Sequence, residues 1–280
     1  MPGVSTSAPE PLIVTVAPNG ARKTRADHPA LPITPDELAR TAADCRAAGA
    51  AMIHLHVRDS QGRHSLGVEA YREAIVAIRD AVGDELVIQA TSEAVGIYGA
   101  AEQMAMVRAL RPEAVSLAIR ELVPDAAAEQ EAAAFFAWLK RESILPQFIL
   151  YSAEEMARFN ALVERGIVPA GRHFLLFVLG RYSQGQVSEP QDLLPFVAAN
   201  GQGHRWAVCA FGARETTCAL TAACLDGHAR VGFENNLLLP DGRVAPDNAA
   251  LVAATVAGAR TIARPLADAA AARALMADAG

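Results

Sequence analysis

The sequence predicts a closed (β/α)8 barrel, and two observations lead to this fold class. Short runs of β-branched and aliphatic residues alternate with longer amphipathic stretches, which gives eight strand–helix units. No linker rich in glycine, serine or charge divides the 280 residues, and such barrels reach about 250 residues as one domain. We therefore expect a single domain over residues 1–280, with residues 1–10 as a flexible extension. An open doubly wound sheet is the alternative.

The first unit shows the signals that later units repeat. Residues 12–17 form an apolar run ended by a Pro-Asn-Gly turn, which indicates a strand. The polar stretch 21–34 is long for a loop, and long loops are often functional. Thr34 followed by Pro35 and two acids is typical of a helix start, and Gly49 ends that helix.

The same alternation continues to the end of the chain. The predicted strands span residues 12–17, 52–59, 86–90, 114–117, 145–150, 173–179, 205–211 and 229–233. The predicted helices span residues 34–49, 68–81, 100–110, 127–142, 153–165, 190–199, 215–225 and 247–262.

Composition argues against several classes of function. A net charge of −6 gives no basic footprint for nucleic acid or an anionic membrane. No apolar run reaches the roughly 18 residues of a membrane span, and the N-terminus lacks the pattern of a signal peptide. The four cysteines have no C-x-x-C spacing, as is usual for reduced core thiols. We expect a cytoplasmic protein that acts on a small molecule.

Two histidines in the second strand are the first candidates for chemistry. His54 and His56 lie two residues apart in the apolar run 52–59, and side chains at this spacing share one face of a strand. Two converging imidazoles are typical of a zinc-type site. The alternative is a pair of core histidines satisfied by backbone groups. A metal site needs a third ligand from elsewhere in the chain.

The ends of the other strands supply that ligand and further polar groups. In a (β/α)8 barrel the chemistry lies at the carboxyl ends of the strands. Glu234, just after the last strand, can complete a site of two histidines and one carboxylate. Thr91, Ser92 and Glu93 end the third strand, where capping of the next helix is the other interpretation. Arg214 follows a glycine near a helix start, a weak signal for phosphate binding.

Several motifs together resemble the β-keto acid cleavage enzymes, from Leu12 to about Pro265. The motifs are Gly20-Ala21, Thr24-Arg25-Ala26-Asp27, His54-Leu55-His56, Phe177-Val178-Leu179-Gly180, Trp206-Ala207-Val208 and Gly232-Phe233-Glu234-Asn235-Asn236. The resemblance implies a (β/α)8 barrel, a homotetramer and one bound Zn²⁺ per chain. It also implies a reaction in which a β-keto acid and acetyl-CoA give acetoacetate and a new CoA thioester.

The resemblance also assigns residues, and some positions depart from the family pattern. The implied metal ligands are His54, His56 and Glu234, and the other implied site residues are Thr91, Ser116 and Arg230. Asn235 stands where the family has an aspartate thought to act as base, and an amide cannot accept that proton. Arg22 stands where an acid is expected, and Ser92 and Glu93 replace two glycines.

These departures shape the expected catalytic roles. Glu93 is the carboxylate that can replace the missing aspartate as base, and Arg230 supplies positive charge to a developing oxyanion. Thr91 and Ser116 are expected to hydrogen-bond the substrate or assist thioester transfer, unless they only pack the strand ends. Asn235 remains a candidate catalytic position. Two other functions stay open: a metal-dependent aldolase or hydrolase without CoA, and a non-catalytic metal-binding barrel.

The remaining assignments concern the substrate. Ile149 stands where the resemblance places an acid that holds a substrate ammonium, so we expect a neutral side chain rather than an amino one. Arg22, Lys23 and Arg25 in the first loop keep a dicarboxylic β-keto acid such as 3-oxoadipate in reserve, and the alternative is that they form a solvated basic patch. Ser92, Ile149, Arg22, Arg25 and Arg214 are the predicted substrate-binding residues.

Overall fold

Eight parallel strands close into a barrel in the computed structural model, which describes residues 9–278. The strands are β1 (Val14–Val16), β2 (Met52–Leu55), β3 (Val57–Arg58), β4 (His64–Ser65), β5 (Val87–Thr91), β6 (Ala114–Ala118), β7 (Leu145–Leu150), β8 (Phe174–Leu179), β9 (Arg205–Ala210) and β10 (His228–Val231). All except β3 and β4 belong to the barrel, in which β10 pairs with β1 and closes the ring. The predicted (β/α)8 fold is confirmed.

Helices surround the barrel and cover the outer faces of the strands. They are α1 (Pro35–Ala48), α2 (Val68–Val82), α3 (Ala100–Leu110), α4 (Ile119–Leu122), α5 (Glu129–Arg141), α6 (Ala153–Glu164), α7 (Leu194–Ala199), α8 (Glu215–Cys224), α9 (Asn248–Thr261) and α10 (Ala269–Ala277). The Thr34 cap of α1 is as predicted: its hydroxyl accepts from the Glu37 amide, and Gly49 ends the helix with φ 110°. Among the described residues, no helix combines the length and apolar character that crossing a membrane requires.

Alternation along the strands separates two cores. Outward-facing residues such as Ile53, Ile88 and Phe148 pack against the helices, whereas Met52, Val87 and Leu176 fill the barrel interior. Helix α10 contributes Ala272 and Met276 to the interior cluster at the amino end of the strands. The carboxyl end of the barrel is left for polar side chains.

The structure differs from the predicted elements at several boundaries. The predicted strand 52–59 is interrupted at His56, because β2 ends at Leu55 and β3 turns away into an antiparallel pair with β4. The predicted helix 190–199 begins as a 3-10 turn, Pro190–Leu193, before α7. The pair β3–β4 and the helices α4 and α10 were not predicted, since each is too short for a periodic signal.

The predicted N-terminal extension lies mostly outside the described residues, which begin at residue 9. Its last residue, Glu10, places a carboxylate oxygen 2.9 Å from Nη2 of Arg205 and another 3.4 Å from Nε2 of His228. These contacts tie the start of the described chain to the amino ends of β9 and β10.

Candidate active site

Three predicted ligands converge at the carboxyl end of the barrel. The Nε2 atoms of His54 and His56 lie 3.1 Å apart. Oε2 of Glu234 lies 3.6 Å from Nε2 of His54 and 3.4 Å from Nε2 of His56. Among the described residues, this is the group of histidine, cysteine or carboxylate side chains arranged to hold a metal ion. His56 takes part although it lies just beyond β2.

The donor set fits a divalent cation of the zinc type. Ligand atoms about 2.0–2.1 Å from a tetrahedral zinc ion lie roughly 3.3–3.4 Å from one another, close to the spacing seen here. Oε2 of Glu234 is buried and has no hydrogen-bond partner among the described residues. A buried carboxylate oxygen without a partner is costly unless it binds a cation. The three side chains would therefore hold such an ion and leave further positions for substrate.

A second layer of polar contacts orients His54. Its Nδ1 lies 2.8 Å from Oε1 of Gln89, and the Gln89 amide donates to Oε1 of Gln147 at 3.1 Å. Because an amide oxygen only accepts, Nδ1 carries the proton and Nε2 keeps its lone pair for a metal. Burial, with the charge of Arg230, lowers the pKa of His54 to about 3, so the ring is neutral at pH 7.

Two glycines allow the close packing that positions Glu234. Gly20 has φ 60°, and a Cβ there would lie 2.5 Å from Cγ of Glu234. Gly232 has φ 138°, and a Cβ there would lie 2.4 Å from the Ala17 carbonyl oxygen. Both positions require glycine because of conformation and space. Nζ of Lys23 donates to the Glu234 carbonyl at 2.7 Å, which fixes the ligand backbone from the first loop.

The first loop is held in place by Arg58, which follows the histidines in sequence. Its guanidinium donates to the carbonyl oxygens of Gly20 and Ala21, and to that of Lys23 at 3.2 Å. Charge-assisted hydrogen bonds from this one side chain to three carbonyl oxygens fix the loop, although the loop forms no helix or strand. The long loop is therefore part of the site wall.

The cavity above the ligands has an inner part with a mixed polar and apolar lining and a more polar outer part. The inner part is lined by His54, Thr91, Glu93, Ala118, Ile149, Tyr151, Val178, Arg181, Phe211, Arg230 and Glu234. The outer part has a volume of about 250 Å³ and is lined by Asn19, Gly20, Ala21, Arg22, Lys23, Asp27, Glu93, Arg181, Gln186, Phe211 and Glu234. Glu93 and Arg181 stand at the boundary of the two parts.

Glu93 is the carboxylate that faces the metal ligands from the other side of the cavity. Its Oε2 lies 3.8 Å from Nε2 of His56, and its Oε1 lies 3.6 Å from Nη2 of Arg181. The backbone is fixed by Thr91, whose hydroxyl accepts from the Glu93 amide at 3.1 Å, and by His64, whose Nε2 donates to the Glu93 carbonyl at 2.8 Å. The geometry leaves the carboxylate free to accept a proton from a molecule bound at the ligands.

Arg230 brings a buried positive charge to the same point. Its Nη2 donates to Oε1 of Glu234 at 3.0 Å and lies 3.1 Å from Sγ of Cys209. Burial opposes the charge, but Cys209 and Glu234 keep the pKa of Arg230 above its ordinary value. The arginine is therefore cationic at any working pH, and it lines the inner cavity.

Thr91 and Ser116 lie side by side on adjacent strands of the barrel. Oγ of Ser116 donates to Oγ1 of Thr91 at 3.3 Å, and both residues are buried. Thr91 lines the cavity, whereas Ser116 lies behind it. Ile149 lines the inner cavity and Arg22 the outer one, as the sequence predicts for residues near the substrate.

Besides Ser116, four of the predicted catalytic and substrate-binding residues do not reach the cavity. Ser92 follows the inward-facing Thr91, so alternation turns it outward, where its hydroxyl donates to Oε1 of Gln103 on α3 at 3.0 Å. Asn235 is buried behind the last strand, where its amide nitrogen donates to Oε1 of Glu215 at 3.1 Å. Neither side chain lines the cavity.

The other two are arginines held at the surface by ion pairs. Arg25 pairs with Glu37 of α1 at 2.5 Å, and Arg214 pairs with Glu189 at 3.1 Å. Both side chains are about half exposed. The structure does not bring them to the substrate cavity, and the glycine before Arg214 instead packs against the Gln186 carbonyl.

Several cavity residues were missed at the sequence level. Arg181 follows Gly180, the first residue after β8, and Tyr151 is the first residue after β7. The rule used for the other strands, that site residues follow strand ends, would have identified both. Lys23 and Phe211 also line the cavity. Lys23 was considered as part of the basic first loop but not assigned to the site, and Phe211 lies in an apolar run without a distinctive pattern.

The fold and the site define a barrel enzyme with a two-histidine, one-carboxylate centre at the carboxyl ends of its strands. Residues 11–277 match the family described as beta-keto acid cleavage enzyme, and the chain belongs to this family. The predicted membership is thereby confirmed.

Individual relatives agree with this assignment. The chain is 29% identical to a 3-keto-5-aminohexanoate cleavage enzyme of Acetoanaerobium sticklandii, over 95% of this chain and 98% of that protein. It is 27% identical to a 3-oxoadipate:acetyl-CoA acetyltransferase of Cupriavidus necator, over 95% of both chains. An apo structure of ObcA has a TM-score of 0.72 at 15% identity, covering 89% of this chain and 65% of that one, which shows a common fold.

Proposed function

We propose that the protein is a zinc-dependent enzyme that converts a β-keto acid and acetyl-CoA into acetoacetate and a new acyl-CoA. The observation that carries the proposal is the convergence of His54, His56 and Glu234 opposite a second carboxylate, Glu93, in a chain of this family. The names of the relatives support the choice of a keto acid and acetyl-CoA as substrates. The proposal extends to a homotetramer in the cytoplasm.

The metal ligands define where the keto acid binds. His54, His56 and Glu234 would hold a divalent cation, which would supply Lewis acidity toward the keto group of the substrate. The neutral imidazole of His54 is held for this role by Gln89. The substrate carboxylate would also face the positive charge of Arg230.

The surrounding residues then supply proton transfer and charge stabilisation. Glu93 takes the proton from the carbon that becomes the nucleophile, since it is the carboxylate facing the ligands across the cavity. That carbon attacks the carbonyl of acetyl-CoA, and Arg230 donates to the oxygen on which negative charge develops. The CoA thiolate leaves, adds to the original keto carbon and breaks the bond between this carbon and the nucleophilic carbon, which gives the new acyl-CoA. Glu93 returns its proton to the released carbanion, which becomes acetoacetate. The hydroxyl of Thr91, supported by Ser116, donates to a substrate oxygen at the inner wall.

The wall around Ile149 favours a substrate without a charged amine. Ile149 is 7% exposed and shares the inner cavity with Ala118, Val178 and Phe211, which cannot pair with an ammonium. The two carboxylates of the same cavity, Glu93 and Glu234, are assigned to proton transfer and metal binding. A short aliphatic side chain would gain roughly 0.8 kcal/mol per buried methylene in such surroundings. We therefore propose a neutral side chain, with a dicarboxylic keto acid as the second choice because Arg22 lies at the outer wall.

Product analysis by mass spectrometry tests the reaction. Incubation of the zinc-loaded enzyme with 3-oxohexanoate and acetyl-CoA is expected to yield acetoacetate and butanoyl-CoA in equal amounts. A reaction without acetyl-CoA is the control. Cleavage in that control would indicate an aldolase or hydrolase, and zinc binding without turnover on a panel of β-keto acids would indicate a non-catalytic barrel.

A further inference from the structure

Glu215 is a buried carboxylate at the start of α8 that the mechanism above does not use. It is 1% exposed. Its Oε1 accepts from the Gly232 amide at 3.0 Å and from Nδ2 of Asn235 at 3.1 Å, and its Oε2 accepts from Nδ2 of Asn236 at 3.4 Å. All three donors belong to residues 232–236, the turn that follows β10. Glu234 stands in the middle of this turn.

The backbone of the turn is fixed on both sides of the metal ligand. The Glu234 amide donates to the Ala17 carbonyl at 3.0 Å, and the Glu234 carbonyl accepts from Lys23. Upstream, the Gly232 amide has Glu215 as its acceptor. Glycine at φ 138° has no side chain to limit its conformation, so this hydrogen bond restricts the point where the chain leaves the strand.

Burying a carboxylate beside a turn costs free energy, because the charged group loses its contacts with water. Burial raises the pKa of Glu215, and the three N–H donors oppose that shift because they favour its charged form. An apolar side chain in its place would leave these three donors without an acceptor. Because all three donors lie in the turn that carries Glu234, the buried carboxylate is tied to the position of that metal ligand.

The identity of residue 235 fits the same network. A carboxylate at this position, as the family resemblance implies, would lie against Oε1 of Glu215, where the Asn235 amide now donates at 3.1 Å. Two buried carboxylates at that distance repel, whereas a carboxylate and an amide form a hydrogen bond. Positions 215 and 235 thus hold one carboxylate and one amide as a pair.

We propose that Glu215 is a positioning residue that, paired with Asn235, aims Glu234 at the metal. The proposal rests on the metal centre of the proposed function but not on the reaction. It requires a hydrogen bond between positions 215 and 235 and an acceptor for the Gly232 amide. Exchange of the two groups keeps a hydrogen bond between the positions, with donor and acceptor reversed, but the Gly232 amide loses its acceptor because both donors share Oε1 of Glu215.

A double-mutant cycle on Zn²⁺ affinity tests the pairing, by competition with a coloured chelator. Asn235→Asp is expected to weaken Zn²⁺ binding about 10–100-fold, the usual effect of disturbing groups that orient metal ligands. Glu215→Gln weakens it as well, and the double variant Glu215→Gln/Asn235→Asp recovers part of the loss, because the bond between the two positions is restored whereas the Gly232 bond is not. Glu121→Gln is the matched control, because Glu121 is a partly buried carboxylate that accepts from the Ala94 amide at 3.0 Å, away from this turn.

Other outcomes overturn the proposal. They are a double variant no tighter than Asn235→Asp, single variants with unchanged affinity, or a wild-type protein that binds no Zn²⁺. A purely structural role predicts lower melting temperatures without a change in affinity, so thermal melts accompany each measurement. Turnover is not a readout here. A protein that follows the cycle but cleaves no β-keto acid contradicts only the proposed reaction.

Discussion

Nδ1 of His54 lies 2.8 Å from Oε1 of Gln89, its neighbour on the adjacent strand β5. The two residues are opposite each other in the parallel register, and both face the barrel interior, so the contact follows from strand pairing. A metal-ligating histidine usually donates its other ring N–H to an acceptor of this kind. The residue behind the ligand should therefore affect metal binding, although less than a ligand does.

Gln89→Leu is expected to weaken Zn²⁺ binding about 10–100-fold, because His54 loses the acceptor that fixes its tautomer and ring orientation. Isothermal titration of the metal-free protein with ZnCl₂ measures the change. Gln103→Leu is the matched control: Gln103 is equally buried, but it accepts from Ser92 outside the barrel. An equal loss in both variants would mean that general destabilisation, not the His54 contact, weakens the site.

Removal of any one ligand should remove the metal. His54→Ala, His56→Ala and Glu234→Ala each leave two donors, which bind zinc far more weakly than three. Elemental analysis of the purified variants measures the zinc content. His173→Ala serves as control, since His173 is a buried histidine at the opposite end of the barrel whose Nε2 contacts the Pro169 carbonyl at 2.9 Å. Stoichiometric zinc in the three ligand variants would exclude this site.

Strand periodicity made much of the site predictable. The spacing of two residues between His54 and His56 predicted that their side chains share one face of a strand. The position of Glu234 just after a strand predicted that it lies at the same end of the barrel. The same alternation explains Ser92: next to the inward-facing Thr91, it must point outward. Position at a strand end does not specify which face a side chain occupies, so it predicts Ser92 and Thr91 alike as site residues.

The loops limited the rest of the prediction. Arg25 and Arg214 were placed near the substrate by position alone, but each meets a carboxylate from a distant part of the chain. Such partners are set by tertiary packing, which no local pattern records. Glu215 shows the same limit from the other side, since its sequence position predicts only an acid in the first turn of a helix.

Glu93→Gln is expected to lower kcat about 10²–10⁴-fold, because an amide cannot accept the proton that the carboxylate takes. Zinc content should stay unchanged, since Glu93 is not among the three ligands. Steady-state rates with acetyl-CoA and elemental analysis of the same preparation check both statements. Glu189→Gln, a surface carboxylate that pairs with Arg214, is the control. Full activity of Glu93→Gln would place the base elsewhere.

The contact of Glu10 with the barrel predicts a stability that depends on pH. The adjacent His228 ring and Arg205 lower the pKa of Glu10 from 4.5 to about 2. Burial lowers the pKa of His228, so the ring is neutral at pH 7 and Arg205 is the lasting charged partner. A lowered carboxyl pKa stabilises the fold above about pH 4.5, and the effect is lost as pH falls toward 2.

Glu10→Gln should therefore lower the free energy of unfolding at pH 7 by about 0.5–1 kcal/mol, a value kept small because solvent screens the partly exposed carboxylate. The difference from the wild type should shrink as pH falls below 4.5. Urea unfolding at pH 7, 4 and 3 measures both. Glu69→Gln, which breaks only an exposed pair with Arg72, is the control. A difference independent of pH would show that charge is not the cause.

The last prediction concerns the substrate side chain and rests on Ile149 in the inner cavity. Burying an ammonium against aliphatic groups without a partner costs several kcal/mol. The specificity constant should therefore be highest for 3-oxohexanoate, lower for 3-oxoadipate and lowest for 3-oxo-5-aminohexanoate. Ile149→Glu should reverse the order of the neutral and amino substrates, while Ile149→Gln, of similar size but uncharged, should not. A wild-type preference for the amine would mean that Ile149 does not contact this part of the substrate.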